Sequence, residues 1–415
     1  MACLDERSDT MIIHGDVAFM MISTVLVLIM TPGLAFFYGG LVERNNSLTM
    51  MFYSFIAIGI VPILWIFGGF SLVFGDDIGG VIGNPSQYFC LNNFKELINS
   101  KYSTTIPFLL FFMYQLMFAI ITAPLMTGAF ANRLTPSGWI KVLILWMILI
   151  YFPVAHWVWG DGFLAKMGFV DYAGGAVIHI TAGFGCLGGV CFLGPRLRKR
   201  AVAPFNVGFV ALGGTLLLFG WFGFNCGGSL SAASTATIVF ANTGIAAATS
   251  MITWLILHST VHRHLSFLEL IIGAVAGLAT ITPCSGYVTP FAAIFIGIIA
   301  AIVCYFCVKL ERKLWDDTLD VWGVHGVGGF LGTVLVGVLA NPLINGVNKG
   351  FRQFGVQLLG SVIIAIYSVV VTYLIFYLAD KMKSIRVSDE IQRDGLDKAY
   401  FKESFYNSYD KEDQE

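Results

Sequence analysis

The sequence predicts an all-α polytopic membrane protein of eleven transmembrane helices, on three observations. Of 415 residues, 57% are hydrophobic and only 12% are charged, about half the roughly 25% of a soluble domain. Apolar runs of about 20 residues recur along the chain, the length that crosses a hydrocarbon core of ~30 Å. Sixteen of the 49 charges fall in residues 381–415, so the first 380 are poorer still. The net charge of −1 supplies no field that would recruit nucleic acid.

The first apolar run, 17–41, is too long for a signal-peptide core and has no basic segment before it, so it reads as a retained span. Further spans fall near 47–74, 106–130, 138–159, 171–194 and 206–226. Five more follow near 235–259, 267–284, 287–309, 321–340 and 352–380. Eleven is odd, which puts the termini on opposite sides. With the N-terminus outside, 18 of the 24 Lys and Arg residues are cytoplasmic and 6 are external, as the positive-inside rule requires. Arg196, Arg198, Lys199 and Arg200 pin the loop after the fifth span. The expected division is an extracellular N-terminus (1–16), a helical domain (17–380) and a cytoplasmic tail (381–415), in the plasma membrane.

Six of the eight cysteines lie in or at the ends of spans, where a thiol is a small hydrophobe. Cys3 and Cys90 fall outside, as a bridge or as free thiols. No spacing suggests a metal site, and no cofactor is expected. Forty-six glycines, many inside spans, predict closely packed helix backbones.

Spans 5 and 10 echo each other. One carries Asp171, His179 and Gly183, the other Asp320, His325 and Gly329. They cross in opposite directions, which predicts two inverted five-helix halves plus a C-terminal eleventh helix. His179 and His325 lie well inside the bilayer, where ionisable groups are costly and commonly line a pathway; the alternative is a hydrogen bond to a neighbouring helix. Neutral imidazole offers one donor and one acceptor to a small polar solute, and two imidazoles facing in a dry site resist double protonation. His156 reads as a packed interfacial residue. Asp171 and Asp320 each read as a helix N-cap, with an electrostatic role open to Asp171. Trp159 reads as an interfacial anchor or as a cation–π platform.

Several motifs resemble the ammonium transporter family, in its Amt/Mep branch. They are Thr31-Pro-Gly-Leu-Ala-Phe-Phe-Tyr-Gly-Gly-Leu41, Met117-Phe-Ala-Ile-Ile-Thr122, Asp171-Tyr-Ala-Gly-Gly175 with His179, Gly220-Trp-Phe-Gly-Phe-Asn225, Thr282-Pro-Cys-Ser-Gly-Tyr287 and Asp320-Val-Trp-Gly-Val-His-Gly-Val-Gly-Gly329. They run in family order from about 17 to about 397. The resemblance implies a homotrimer with one pore per subunit. It implies ammonium recruitment at Trp159 and Phe118, occlusion by Phe118 and Phe224, and a pore lined by His179 and His325. Asp171 is implied as a supporting carboxylate near the recruitment site; Asp320, its match in the echo, is read as a second structural or electrostatic support. Some members carry a serine where Gly228 stands here, so Ser229 is the expected recruitment hydroxyl.

The tail carries Gly395 and Asp397 in a segment resembling the one that couples neighbouring subunits. Residues beyond 403 are expected to be disordered, and Ser388, Ser404 and Ser408 are open to phosphorylation.

The implied function is transport, not enzyme chemistry: ammonium is recruited, deprotonated and conducted as ammonia, with the proton crossing separately. An electroneutral ammonia channel and an ammonium sensor of low flux stand as alternatives. An intramembrane hydrolase has no catalytic constellation to rest on. Expected partners are ammonium or ammonia, methylammonium as a poor substrate, the bilayer, and a cytoplasmic regulator at the loops and tail.

Overall fold

A computed structural model describes residues 12–94, 98–197 and 204–405. Cys3, Arg198, Lys199, Arg200 and Ser408 lie outside these, so what was expected of them stays an expectation. Ten helices among the described residues are long and apolar enough to cross a membrane. They are α1 (His14–Leu41), α2 (Arg44–Phe74), α3 (Phe108–Phe130), α4 (Pro136–Lys166), α5 (Gly175–Leu193) and α6 (Val207–Ser229), then α7 (Ser234–His262), α9 (Pro290–Leu314), α10 (Trp322–Leu339) and α11 (Phe351–Met382). The eighth expected span is a shorter apolar helix, α8 (Phe267–Ile281). Its 15 residues rise only ~22 Å. Pro283, lacking an amide hydrogen, stands two residues past its end and cannot continue it.

Starts are set by local chemistry. Thr135, Asn206, Ser266 and Thr289 each accept an amide of the first turn with a side-chain oxygen, at α4, α6, α8 and α9. At α4 and α9 a proline then occupies the first turn, where its missing N–H costs nothing. Large side chains such as Phe219, Phe240 and Ile366 point outward and are exposed, which suits lipid and not water.

α1 packs along α6 and α5 packs across α10. A Cβ on Gly183 would lie 2.1 Å from the amide nitrogen of Gly326, so α5 and α10 meet backbone to backbone. Each of these two helices is distorted at its histidine. His179 lies in a π-helical turn, Gly175–Ile180, and His325 in another, Trp322–Gly326. Such turns free backbone groups and are frequent at functional positions.

The echo therefore exists, but its second carboxylate is not Asp320. Asp317 accepts the Trp322 amide at 2.8 Å and precedes His325 by eight residues, as Asp171 precedes His179. Asp320 has a left-handed backbone (φ 59) and turns its carboxylate to Arg312, whose Nε lies 2.9 Å away. An arginine one helix back outcompetes the amides for it.

Beyond α11 the tail folds against the helix ends. The Thr135 amide donates to the Ile385 carbonyl and the Val387 amide to the Arg133 carbonyl, both at 2.8 Å. Two short helices follow, α12 (Asp389–Asp394) and α13 (Leu396–Phe401), hinged at Gly395 (φ 102). Phe405, within the stretch expected to be disordered, packs on Phe205 and Phe209 with ring centroids 5.3 and 5.2 Å away. Cys90 is exposed.

Candidate functional site

Three spaces follow one another along the bundle. The first, about 210 Å³, is lined by Trp159, Phe118, Tyr114, Gln115, Asp171 and Gly228 among others. Trp159 ends the helical segment Phe152–Trp159, and its indole N–H donates to the Asp171 carbonyl at 2.9 Å, which fixes the ring. The Asp171 carboxylate accepts the amides of Gly174, Gly175, Ala176 and Val177 at 2.9, 2.7, 2.7 and 3.0 Å. These first-turn amides have no partner within their own helix, so one residue starts α5 with its side chain and holds Trp159 with its backbone carbonyl.

Phe118 forms the floor. Its ring stands edge-on to Trp159 (centroids 6.0 Å apart, 88°) and lies 4.5 Å from the ring of Phe224. Both phenylalanines are buried. Tyr114 locks this stack, since its ring packs on Phe118 at 4.8 Å and its hydroxyl donates to the Phe224 carbonyl at 2.9 Å.

Ser229 does not join the site. Its hydroxyl lies 2.7 Å from the carbonyls of Cys226 and Ser231, and Gly228 takes the place on the wall. After Cys226 the helix tightens into the turn Gly227–Ser229 and Leu230 goes left-handed (φ 54), which turns the serine side chain back onto its own chain.

Below Phe224 the space narrows to about 10 Å³ between Ile178, Leu217, Trp221, His179 and His325, barely room for one water. The Nδ1 atoms of His179 and His325 are 3.3 Å apart, with rings 5.3 Å apart and nearly parallel (18°). One nitrogen donates and the other accepts, so the pair holds a single proton between them. Trp221 stacks on His179 (5.4 Å, 20°) while its N–H donates to Thr282 Oγ1 at 2.8 Å. Nε2 of His179 is buried and has no protein partner.

His325 also opens to the third space, about 380 Å³, walled by Glu43, Glu269, Asp317, Asp320 and Arg312 among others. Burial pushes the Asp317 carboxyl up to about 6. Among the described residues no group of three or more His, Cys, Asp or Glu side chains could hold a metal.

At the tail, the Asp397 carboxylate accepts the amides of Leu48 and Thr49 at 2.9 and 2.8 Å and the Thr49 hydroxyl at 2.7 Å. Asn46 accepts the Leu396 amide at 2.9 Å.

Trp159, Phe118, Phe224, His179, His325 and Asp171, all expected from the sequence, form a continuous chain of contacts in the fold. Not expected from the sequence were Tyr114, Gln115, Trp221, Thr282 and Asp317. Trp221 and Thr282 stand inside motifs already singled out, and Asp317 could have been found from its eight-residue spacing to His325. Tyr114 and Gln115 carry no sequence signal, because an aromatic or amide in an apolar helix is ordinary.

A bundle of apolar helices enclosing stacked aromatics and two touching imidazoles defines a multi-pass membrane protein with a narrow pore-like axis. Its relatives name the family. The model of the Ammonium Transporter Family matches residues 18–406, and the chain belongs to that family. It is 43% identical over 406 residues to a putative ammonium transporter of Methanothermobacter thermautotrophicus, covering 95% of this chain and 99% of that one. It is 39% identical over 401 residues to the ammonium transporter Amt1 of Archaeoglobus fulgidus, covering 94% and 99%. Among solved structures, Candida albicans Mep2 aligns with a TM-score of 0.85 at 32% identity, covering 93% of this chain and 89% of that one. A sensor Amt protein aligns at 0.88 with 28% identity, covering 94% and 99%.

Proposed function

We propose that this protein transports ammonium through one pore per subunit of a homotrimer in the plasma membrane. Eleven crossings with the N-terminus outside and residues 381–415 in the cytoplasm would put the Trp159 end outside. The observation that carries the reading is the His179–His325 contact beneath the Phe118–Phe224 stack. Ammonium is held over Trp159, worth ~0.5–2 kcal/mol to a cation and nothing to a neutral gas. The closed phenyl stack and the dry space below it penalise a bare cation, so the ion gives up a proton and ammonia passes the imidazoles. The proton crosses separately by way of the shared His179–His325 proton, giving net charge movement. Potassium, with no proton to lose, is refused. Asp171 supports the recruitment ring, and the tail segment bearing Gly395 and Asp397 couples neighbouring subunits. A second reading, an ammonium sensor of low flux, is favoured by the likeness to a sensor Amt protein.

The test is the transient current across proteoliposomes on an ammonium pulse, in wild type and His179→Ala, with potassium as control. Current with ammonium alone is expected, and potassium current is expected only in the variant. Ammonia equilibration without current would replace this reading by an electroneutral channel; neither flux nor current would leave the sensor.

A further inference from the structure

His156 is fully buried in the segment Phe152–Trp159, three residues before Trp159. Its Nδ1 lies 2.7 Å from the Val73 carbonyl oxygen and its Nε2 lies 2.9 Å from Oδ1 of Asp77. A carbonyl oxygen can only accept, and so can an ionised carboxylate. Asp77 is ionised. The Lys166 ammonium pairs with its carboxylate, and the Gly80 amide donates to its two oxygens at 2.8 and 3.1 Å. Both nitrogens of His156 face acceptors, so both need a proton.

We infer that His156 is a buried imidazolium whose bonds to Val73 and Asp77 position Trp159. Its carbonyl accepts the amides of Gly160 and Gly162 at 2.9 and 3.0 Å, which turns the chain immediately after the tryptophan. The short hairpin bearing Asp77 is strapped across the same helix end. The Trp157 indole donates to the Val81 carbonyl, and the Phe163 amide to the Gly80 carbonyl, each at 2.9 Å. A Cβ on Gly160 would lie 1.9 Å from the Val73 oxygen and 2.5 Å from Nδ1 of His156, so only glycine fits against this hydrogen bond. The charged groups around it are Asp77 from the hairpin and Lys166, which meets the ring only through Asp77; Asp161 in the adjoining turn is paired with Lys101 at 2.9 Å. The cation is thus a positioning residue for the recruitment platform, not a ligand of the solute.

Nitrogen-15 magnetic resonance of histidine-labelled protein in lipid tests the charge directly, with His156→Gln identifying its resonances. Two protonated ring nitrogens at about pH 7 are expected; one unprotonated nitrogen overturns the proposal. Asp77→Asn tests the positioning, because it removes the counter-charge of the imidazolium while keeping a polar side chain of the same size beside the ring. In that variant KM for ammonium is expected to rise about tenfold between external pH values of about 6 and 8, with kcat within about twofold of wild type, as loss of a charge-assisted bond implies. Wild-type KM stays flat once the ionisation of ammonium itself is corrected. A variant KM that follows wild type, or a kcat that falls in step, sinks the positioning role. The KM arm rests on the ammonium reading and the resonance arm does not. If wild type moves no ammonium, the positioning role falls with that reading while the resonances still decide the charge.

Discussion

Asp171 holds four amides with two oxygens and offers its own carbonyl to Trp159. Removing that carboxylate strands buried N–H groups that cost roughly 1–3 kcal/mol each. Asp171→Ala is therefore expected to lose at least ~3 kcal/mol of stability, and Asp171→Asn, which keeps one acceptor oxygen, to recover part of it; thermal unfolding in detergent measures both. Asp317 presents a different case. Its carboxyl is pushed by burial from 3.8 to about 6, so the folded chain holds that proton more tightly than the unfolded chain. Its contribution, on the order of 3 kcal/mol, is fully present below about pH 4 and is lost as pH rises to about 6. In Asp317→Asn the fall in Tm across this window should flatten; an unchanged slope would mean that other groups carry it.

Between elements, the decisive contact is α5 against α10. Glycine at 183 lets the Gly326 backbone approach until a single methyl would overlap it, at 2.1 Å. The same approach sets the 3.3 Å separation of the two imidazoles, since each sits within a turn of the crossing. Gly183→Ala is expected to force the helices apart and cut ammonium flux at least tenfold, because overpacking a dense core costs about 1–3 kcal/mol and shifts backbone. Normal flux in a properly folded variant would show that the imidazole contact is not required. Tyr114 acts at the same scale, tying α3 to the last turns of α6 through the Phe224 carbonyl.

For the whole molecule, the tail closes back on the start of α2, where Asp397 takes the place of a helix cap. Asp397→Ala should undock α12 and α13 while leaving the bundle intact. Trypsin cleavage after Arg393 is expected to accelerate by about tenfold, the ratio that ~1.4 kcal/mol of lost docking implies; unchanged protection would mean that Asn46 and the Ile385–Val387 pairing suffice. Truncation after Asp380 separates the two functional readings: a transporter slows, whereas a sensor loses its signal. The proposed trimer is checked by light scattering in detergent, where a protein mass three times 45.4 kDa is expected.

What the amino-acid order determined alone is what depends on composition and short spacing. Apolar runs of crossing length and polar residues in apolar helices are local properties that lipid and backbone chemistry read directly. His179 and His325 were legible for that reason, because a titratable ring in an apolar run has few uses. Tertiary structure decided where the Asp320 carboxylate goes. Asp317 and Asp320 are three residues apart, yet Asp317 takes the Trp322 amide while Asp320 turns to Arg312. It also decided that Ser229 faces its own chain and that His156 lies between two acceptors. Direction is the physical reason. Sequence states which groups a chain carries, but where a hydroxyl or an imidazole points is set by neighbours that are distant along the chain and arrive only with packing.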